Sequence, residues 1–162
     1  MKIIKTLIIA VVILYLQVLA IPSISVFGNY FNILIPFIIF ISSKFNINFA
    51  LFLTFFMGIS FDVIYPVTFG LNGIIFIIIT FIIANYYHFF NMDNFFIVLI
   101  VSFAVNTFYY FIMFLFYLFS GKNSSIFSLS FVIMDFLNSA ITVLFFFLYS
   151  FVSNIKFCME DG

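Results

Sequence analysis

Two aspartates lie inside apolar stretches of this 162-residue chain, and their chemistry is the first feature to explain. Asp62 belongs to the stretch GISFDVIYPVTFGLNG, residues 58–73, and Asp135 lies near the start of the last apolar segment. A carboxylate near lipid is costly and usually faces a protein interior, a cavity or water. We therefore expect Asp62, Asp135 and the base Lys122 to share one outer region, as a salt bridge or as a shallow polar cup.

Catalytic and metal-binding arrangements are not indicated elsewhere in the chain. His88, the single histidine, has no Cys or Glu at a metal-ligand spacing. The sequence contains no Ser-His-Asp set, no glycine-rich phosphate loop and no paired carboxylates in one motif. Cys158 is the one cysteine, so it forms no internal disulfide and is interpreted as an ordinary thiol. The sequence predicts no catalytic residues, no metal site and no cofactor.

The composition is that of an integral membrane protein. The chain is 67% hydrophobic and 6% charged, and it contains 31 phenylalanines, well beyond what a soluble core needs. Its net charge is zero, so no basic surface attracts nucleic acid. We therefore expect membrane lipid, not nucleic acid, around this protein.

Six apolar segments predict six transmembrane helices in a single domain, residues 1–162. The apolar runs are continuous, whereas strands of membrane barrels alternate. The second and third segments are short, because fifteen residues at 1.5 Å each reach only about 22 Å of a hydrocarbon core about 30 Å thick. These two helices should pack among the others, or one of them should form a re-entrant pair. The predicted helices are 3–21, 26–42, 47–61, 69–87, 95–119 and 131–152.

The amino terminus and the lysines predict the orientation. The first segment fits either an uncleaved helix or a cleavable signal peptide, and cleavage leaves the later topology unchanged. Cytoplasmic loops carry an excess of lysine and arginine. With both termini in the cytoplasm, Lys122 alone lies outside, and the other four lysines lie inside: Lys2, Lys5, Lys44 and Lys156.

Small residues recur every four positions along the third helix. Ala50, Thr54, Gly58 and Asp62 therefore share one helical face. Small side chains at this spacing let helix backbones approach closely in lipid. We interpret Ala50, Thr54 and Gly58 as a helix-packing seam. Asp62 ends the helix at the outer face, where it either reaches the headgroups or has a structural or partner-binding role.

The turn after the third helix contains Pro66 and Gly70. Pro66 blocks continuation of the third helix because it lacks a backbone donor, and Gly70 precedes the fourth helix.

The fifth and sixth helices each carry a less apolar face, as an interior seam requires. The polar residues of the fifth and sixth helices follow three- and four-residue steps: Ser102, Asn106, Tyr109, Met113 and Tyr117, then Asp135, Asn138, Ser139 and Thr142.

The stretch of residues 58–73 resembles the signature region of a known family. Gly58-x-x-x-Asp62, then Pro66, then Gly70-Leu71 leading into an apolar helix, is similar to the MreD family of rod shape-determining membrane proteins. Six-helix hydropathy, short second and third helices and Asn138 in the last helix agree with that family. The resemblance extends over the whole chain as a pattern, but its specific part is about a dozen residues.

The resemblance implies an all-α fold and a non-enzymatic role. Six transmembrane helices would form one compact bundle resembling the substrate-binding subunits of energy-coupling-factor transporters. The protein would belong to the bacterial plasma membrane and to the machinery of lateral peptidoglycan synthesis. Its partners would be an MreC-like bitopic protein, a RodA-type glycosyltransferase, a class B penicillin-binding protein and an MreB-like filament. The residues we expect at the outer turn, where a partner can bind, are Asp62, Pro66, Gly70, Asp135 and Asn138.

Two other functions remain open. A substrate-binding membrane subunit of a vitamin-type transporter would capture a small molecule in an outward cup. Its packing seam would dock an ATPase module. The third interpretation is a small membrane chaperone or scaffold unconnected with the wall.

Overall fold

The computed structural model describes residues 2–19, 25–26, 29–30, 32–64, 70–86, 94–120, 133 and 135–148. These residues form six helices and one short strand pair, so the predicted all-helical class with six helices is confirmed. The strands β1 (Ser25–Val26) and β2 (Asn29–Tyr30) pair antiparallel between the first two helices. The helices are α1 (Lys2–Leu19), α2 (Leu34–Lys44), α3 (Ile47–Ile64), α4 (Leu71–Tyr86), α5 (Phe95–Phe119) and α6 (Asp135–Leu148).

Helices α3 and α5 are long and apolar enough to cross a membrane, by length and composition. They have 18 and 25 residues, which correspond to about 27 and 38 Å at 1.5 Å per residue. Helices α2, α4 and α6 are apolar but shorter. The outermost residues of several predicted segments, 20–21, 69, 87, 131–132 and 149–152, lie outside the described residues.

Helix α2 begins later than the sequence predicts, at Leu34 instead of Val26. Val26 belongs to β1. The first N–H groups of a helix have no acceptor within the helix. At the start of α2, two side chains each supply one acceptor oxygen. Asn32 Oδ1 accepts from the Leu34 N–H at 3.2 Å, and Gln17 Oε1 of α1 accepts from the Ile33 N–H at 2.8 Å. These contacts favour a helix that starts at this point.

Helix α3 is longer than predicted, because it ends at Ile64 rather than at Phe61. The expectation of a short third helix is therefore wrong, and α3 runs without a re-entrant break. Its start is stabilised by Asn46 Oδ1, which accepts from the Asn48 N–H at 3.1 Å. The extra turn places Asp62 inside the helix, where its side chain can face a neighbouring helix instead of a loop.

Helix α2 forms the centre of the protein, and nine of its eleven residues are buried. Helices α3 and α4 have the most extensive mutual contact of the pairs among α1–α5. The outward faces of the helices are apolar, with Val11, Phe96 and Phe147 all more than two-thirds exposed. A soluble protein rarely exposes such large apolar surfaces, so the distribution fits a protein surrounded by lipid.

Contacts between helix ends show that α1 runs antiparallel to α2 and that α6 runs in the same direction as α2. Gln17, near the end of α1, contacts the start of α2. Asn32, just before α2, contacts Asn138 near the start of α6. At the other end, the Lys44 Nζ of α2 lies 5.9 Å from the ring centroid of Phe146 in α6. The end of α1 and the starts of α2 and α6 therefore lie together, away from Lys44.

Candidate functional site

The seam between α3 and α4 contains the closest backbone approach among the described glycines. A Cβ atom placed on Gly58 would lie 2.5 Å from the Gly73 Cα and 2.7 Å from the Gly73 N. Ala50 and Thr54, on the same face of α3, are buried. Thr80 of α4 donates from its hydroxyl to Thr54 Oγ1 at 2.9 Å. The glycine permits the close crossing, and the threonine pair adds a hydrogen bond across it.

Asp62 accepts hydrogen bonds from the first turn of α4. Its Oδ1 accepts from the Asn72 side-chain amide at 2.7 Å and from the Asn72 N–H at 3.4 Å. Its Oδ2 accepts from the Gly73 N–H at 3.1 Å. Helix N-termini favour negative charge and leave N–H groups without intrahelical acceptors. Asp62 therefore caps α4 from the neighbouring helix, and Gly70, with a φ of 82°, turns the chain immediately before it.

Asn72 extends this contact to α5. Its Oδ1 accepts a hydrogen bond from the Tyr109 hydroxyl at 2.8 Å. The Tyr109 ring also lies 6.1 Å from the Phe76 ring of α4, centroid to centroid. The buried side-chain amide of Asn72 thus donates to Asp62 of α3 and accepts from Tyr109 of α5, so Asn72 joins three helices.

Asn138 performs the same role for α6. Its Oδ1 accepts from the Asn32 N–H at 3.3 Å, and its amide donates to the Tyr110 hydroxyl at 3.3 Å. Asn138 is fully buried. Because Tyr109 and Tyr110 are adjacent on α5, the contacts to α4 and to α6 lie at one level of the molecule.

Asp135 is bound to the same region by one hydrogen bond. Its Oδ2 accepts from the Thr107 hydroxyl at 2.6 Å. Its Oδ1 and the Oδ1 of Asn106 are buried and have no hydrogen-bond partner among the described residues. We call the set of residues at this level the polar layer: Gln17, Asn32, Asp62, Asn72, Asn106, Thr107, Tyr109, Tyr110, Asp135 and Asn138.

The structure places three of the five predicted outer-turn residues inside the protein: Asp62, Asp135 and Asn138 are 0, 1 and 0% exposed. Of the alternatives open for Asp62, the structure supports a structural role over contact with the headgroups, because its carboxylate accepts from N–H groups of α4. Gly70 is partly exposed. Pro66 and Lys122 lie outside the described residues.

Several residues of the polar layer were not singled out by sequence reasoning. Gln17, Asn32 and Thr107 lie in largely apolar stretches, and each bonds to a different helix or helix end. Asn32 had a usable signal, because asparagine just before an apolar run is a common helix-capping residue. No signal in the sequence indicates the partners of Gln17 and Thr107, because those partners depend on how the helices pack against each other.

No metal cluster accompanies the polar layer among the described residues. No three His, Cys, Asp or Glu side chains converge there. A groove of about 260 Å³ lies between α4 and α5. A polar solute would find no polar side chain on its lining. The lining residues are all apolar: Ile79, Ile82, Ile83, Ile100, Val101, Ala104, Val105 and Phe108.

Comparison with known proteins identifies one family. The sequence model of one family, described as rod shape-determining protein MreD, matches residues 1–154. No curated protein and no solved structure gives a match. The family match covers nearly the whole chain, including all six helices and every residue of the polar layer. The chain therefore belongs to the MreD family of rod shape-determining membrane proteins.

Proposed function

We propose that this protein is a non-enzymatic subunit of the bacterial cell-elongation machinery and that it acts by binding an MreC-like bitopic protein. Membership of the family establishes a membrane component of the rod-shape system. The particular partners, lateral peptidoglycan synthesis and the absence of catalysis belong to the proposal. A RodA-type glycosyltransferase, a penicillin-binding protein and an MreB-like filament would join through the same assembly.

The use of the polar residues is the observation that carries this proposal. Asp62, Asn72 and Asn138 are buried and bond to other helices, whereas the outward faces of the helices are apolar. Association of helices within lipid depends on packing of such surfaces and on small residues. A protein with this distribution is suited to bind the transmembrane helix of a partner.

The same distribution argues against an outward cup for a vitamin-type solute. Such a cup needs free polar side chains at the outer end, as concave ligand sites place a few polar groups around a ligand. The acidic and amide groups predicted there are instead covered, and the groove between α4 and α5 is apolar. The likeness of the helix arrangement to transporter subunits stays a prediction, and it does not by itself imply transport.

The proposed orientation is multi-pass, with both termini in the cytoplasm. Lys44 is exposed at the end of α2, opposite the polar layer. Lys5 is exposed near the start of α1, which also lies opposite, since the end of α1 contacts the start of α2. Lysines mark the cytoplasmic side, so the polar layer would lie toward the outer leaflet.

Depletion of the protein in a rod-shaped host tests the proposal. We expect cells to become round, and we expect an MreC-like protein to be recovered with the tagged chain from solubilised membranes. A tagged unrelated six-helix membrane protein controls for nonspecific recovery. Normal cell shape after depletion, together with saturable binding of a vitamin-like solute by the purified protein, would overturn the proposal in favour of the transporter subunit.

A further inference from the structure

The carboxyl group of Asp135 is the acidic group of the polar layer whose bonding is incomplete. The residue is buried, yet within the described part of the chain its carboxyl group accepts a single hydrogen bond, from Thr107 at 2.6 Å. Its second oxygen, Oδ1, has no hydrogen-bond partner there. Buried polar atoms almost always have a partner, and an exception in a folded protein calls for a reason. A buried anion without compensation is more unfavourable still.

Asp62 shows what a compensated carboxylate looks like in the same protein. It accepts from three N–H groups, and two of them belong to the first turn of α4, where the helix dipole favours negative charge. Among the described residues, no N–H group reaches the Asp135 carboxylate, so the cost of removing this ion from water is not offset as it is for Asp62.

Among the described residues, the groups that face Asp135 carry no positive charge. From α5 they are the Thr107 hydroxyl and the titratable hydroxyl of Tyr110. On α6, Ser139 donates its hydroxyl to the backbone oxygen of Asp135 and not to its carboxyl group. The two lysines whose side chains are described, Lys5 and Lys44, lie at the opposite end of the helices. Within the described part of the chain, no cationic side chain compensates Asp135.

We propose that Asp135 binds one positive charge, as a proton or an alkali cation, between α5 and α6. The described atoms that meet at the site are oxygens, namely the two carboxylate oxygens and the Thr107 hydroxyl. Oxygen ligands suit a hard cation or a proton. The bound charge lets the carboxyl group stay buried and so holds α6 against α5.

Thermal unfolding of the purified full-length protein tests the proposal. Unfolding is followed in nanodiscs across a range of pH, in sodium, potassium and choline chloride at equal ionic strength. Infrared spectra of the same samples report whether a protonated carboxylic acid is present. A bound proton predicts an acid carbonyl band and a stability that falls as pH rises, without preference among the salts. A bound alkali cation predicts no acid band and a higher unfolding temperature in sodium or potassium than in choline.

Two asparagine variants assign the effect. Asp135→Asn resembles the neutral acid in shape, so we expect it to fold and to lose both the acid band and the dependence on pH or cation. Asp62→Asn is the matched control, because it removes the other carboxylate of the polar layer. We expect it to unfold at a lower temperature but to retain the dependence. If Asp135→Asn does not fold, Thr107→Val keeps the carboxyl group and should shift the band or weaken cation binding.

Two results overturn the proposal. One is a wild-type protein with no acid band and the same unfolding temperature at every pH and in all three salts. The other is an acid band or a salt dependence that persists unchanged in folded Asp135→Asn. Neither result depends on the role in cell elongation, because cell shape and partner binding are not measured.

Discussion

The crossing of α3 and α4 predicts that Gly58→Ala destabilises the protein. The added Cβ would lie 2.5 Å from the Gly73 Cα and 3.0 Å from the Asn72 carbonyl carbon. These are backbone atoms and cannot rotate away. Because interiors are closely packed, α4 must move by about 1 Å to restore an ordinary contact. That movement stretches the Thr80–Thr54 hydrogen bond and the bonds that Asp62 accepts.

The magnitude follows from three opposing effects. Overpacking of a closely packed site costs about 1–3 kcal/mol. Weakening hydrogen bonds to the charged Asp62 adds up to about 1.5–3 kcal/mol. Replacing a helical glycine by alanine contributes about 1 kcal/mol of stability in return. We expect a net loss of about 2–4 kcal/mol for Gly58→Ala, and a larger loss for Gly58→Leu.

Gly73→Ala is the matched control, because it introduces the same methyl group on the other side of the same crossing. A Cβ at Gly73 would meet the Ile59 side chain at 3.4 Å and the Ile59 N at 3.7 Å. These distances are ordinary or only slightly tight. The N–H that Asp62 uses is kept. We therefore expect Gly73→Ala to be unchanged or more stable by up to about 1 kcal/mol.

Thermal unfolding in detergent, followed by the recovery of monodisperse protein after heating, measures both variants. Gly58→Ala should lower the unfolding temperature by about 5–15 °C, on the scaling known for soluble domains of similar size. Gly73→Ala should leave it within a few degrees. If Gly58→Ala is as stable as Gly73→Ala, α3 and α4 do not cross at this distance and the reasoning is refuted.

Three further predictions concern the polar layer and the orientation. Asp62→Asn removes the charge and turns one acceptor toward the α4 N–H groups into a donor, so unfolding should require about 1.5–3 kcal/mol less; an unchanged unfolding temperature would contradict the capping role. Tyr109→Phe keeps the ring against Phe76 but loses the bond to Asn72, at about 1 kcal/mol. It should be milder than Asp62→Asn in the same assay, and equal losses would argue against the hydrogen bond as the cause. A cysteine at Lys44, on a Cys158→Ser background, should resist impermeant thiol reagents in intact cells; labelling from outside would reverse the proposed orientation.

The class of the protein and much of its helical pattern follow from the sequence alone. A chain that is 67% hydrophobic cannot cover itself with polar surface in water, and continuous apolar runs must form helices because lipid satisfies no backbone group. The bounds predicted for the fifth helix, 95–119, are those of α5. The spacing of Ala50, Thr54 and Gly58 also placed them on one helical face. Such conclusions rest on local periodicity, which depends on neighbours within a few residues.

Helix ends were harder to predict, because the groups that determine them are distant. The start of α2 depends on an acceptor from α1, 16 residues away in the chain. Helix α3 continues past Phe61 to Ile64, and in this last turn Asp62 contacts α4. Hydropathy registers neither contact. It therefore placed the helix ends where the apolar runs began and ended.

Only the tertiary structure decided what the polar residues do. Asn32 and Asn138 are 106 residues apart and form a hydrogen bond, and Asp62, at the end of α3, caps α4. Periodicity indicates which residues share a face, but it does not indicate which helix lies against that face or how closely. The contrast between Gly58 and Gly73 has the same origin, because the direction of each Cα–Cβ bond relative to the other backbone depends on how the two helices cross. A buried carboxylate accepts from the N–H groups that the crossing brings to it, and those of a helix's first turn lack partners within their own helix.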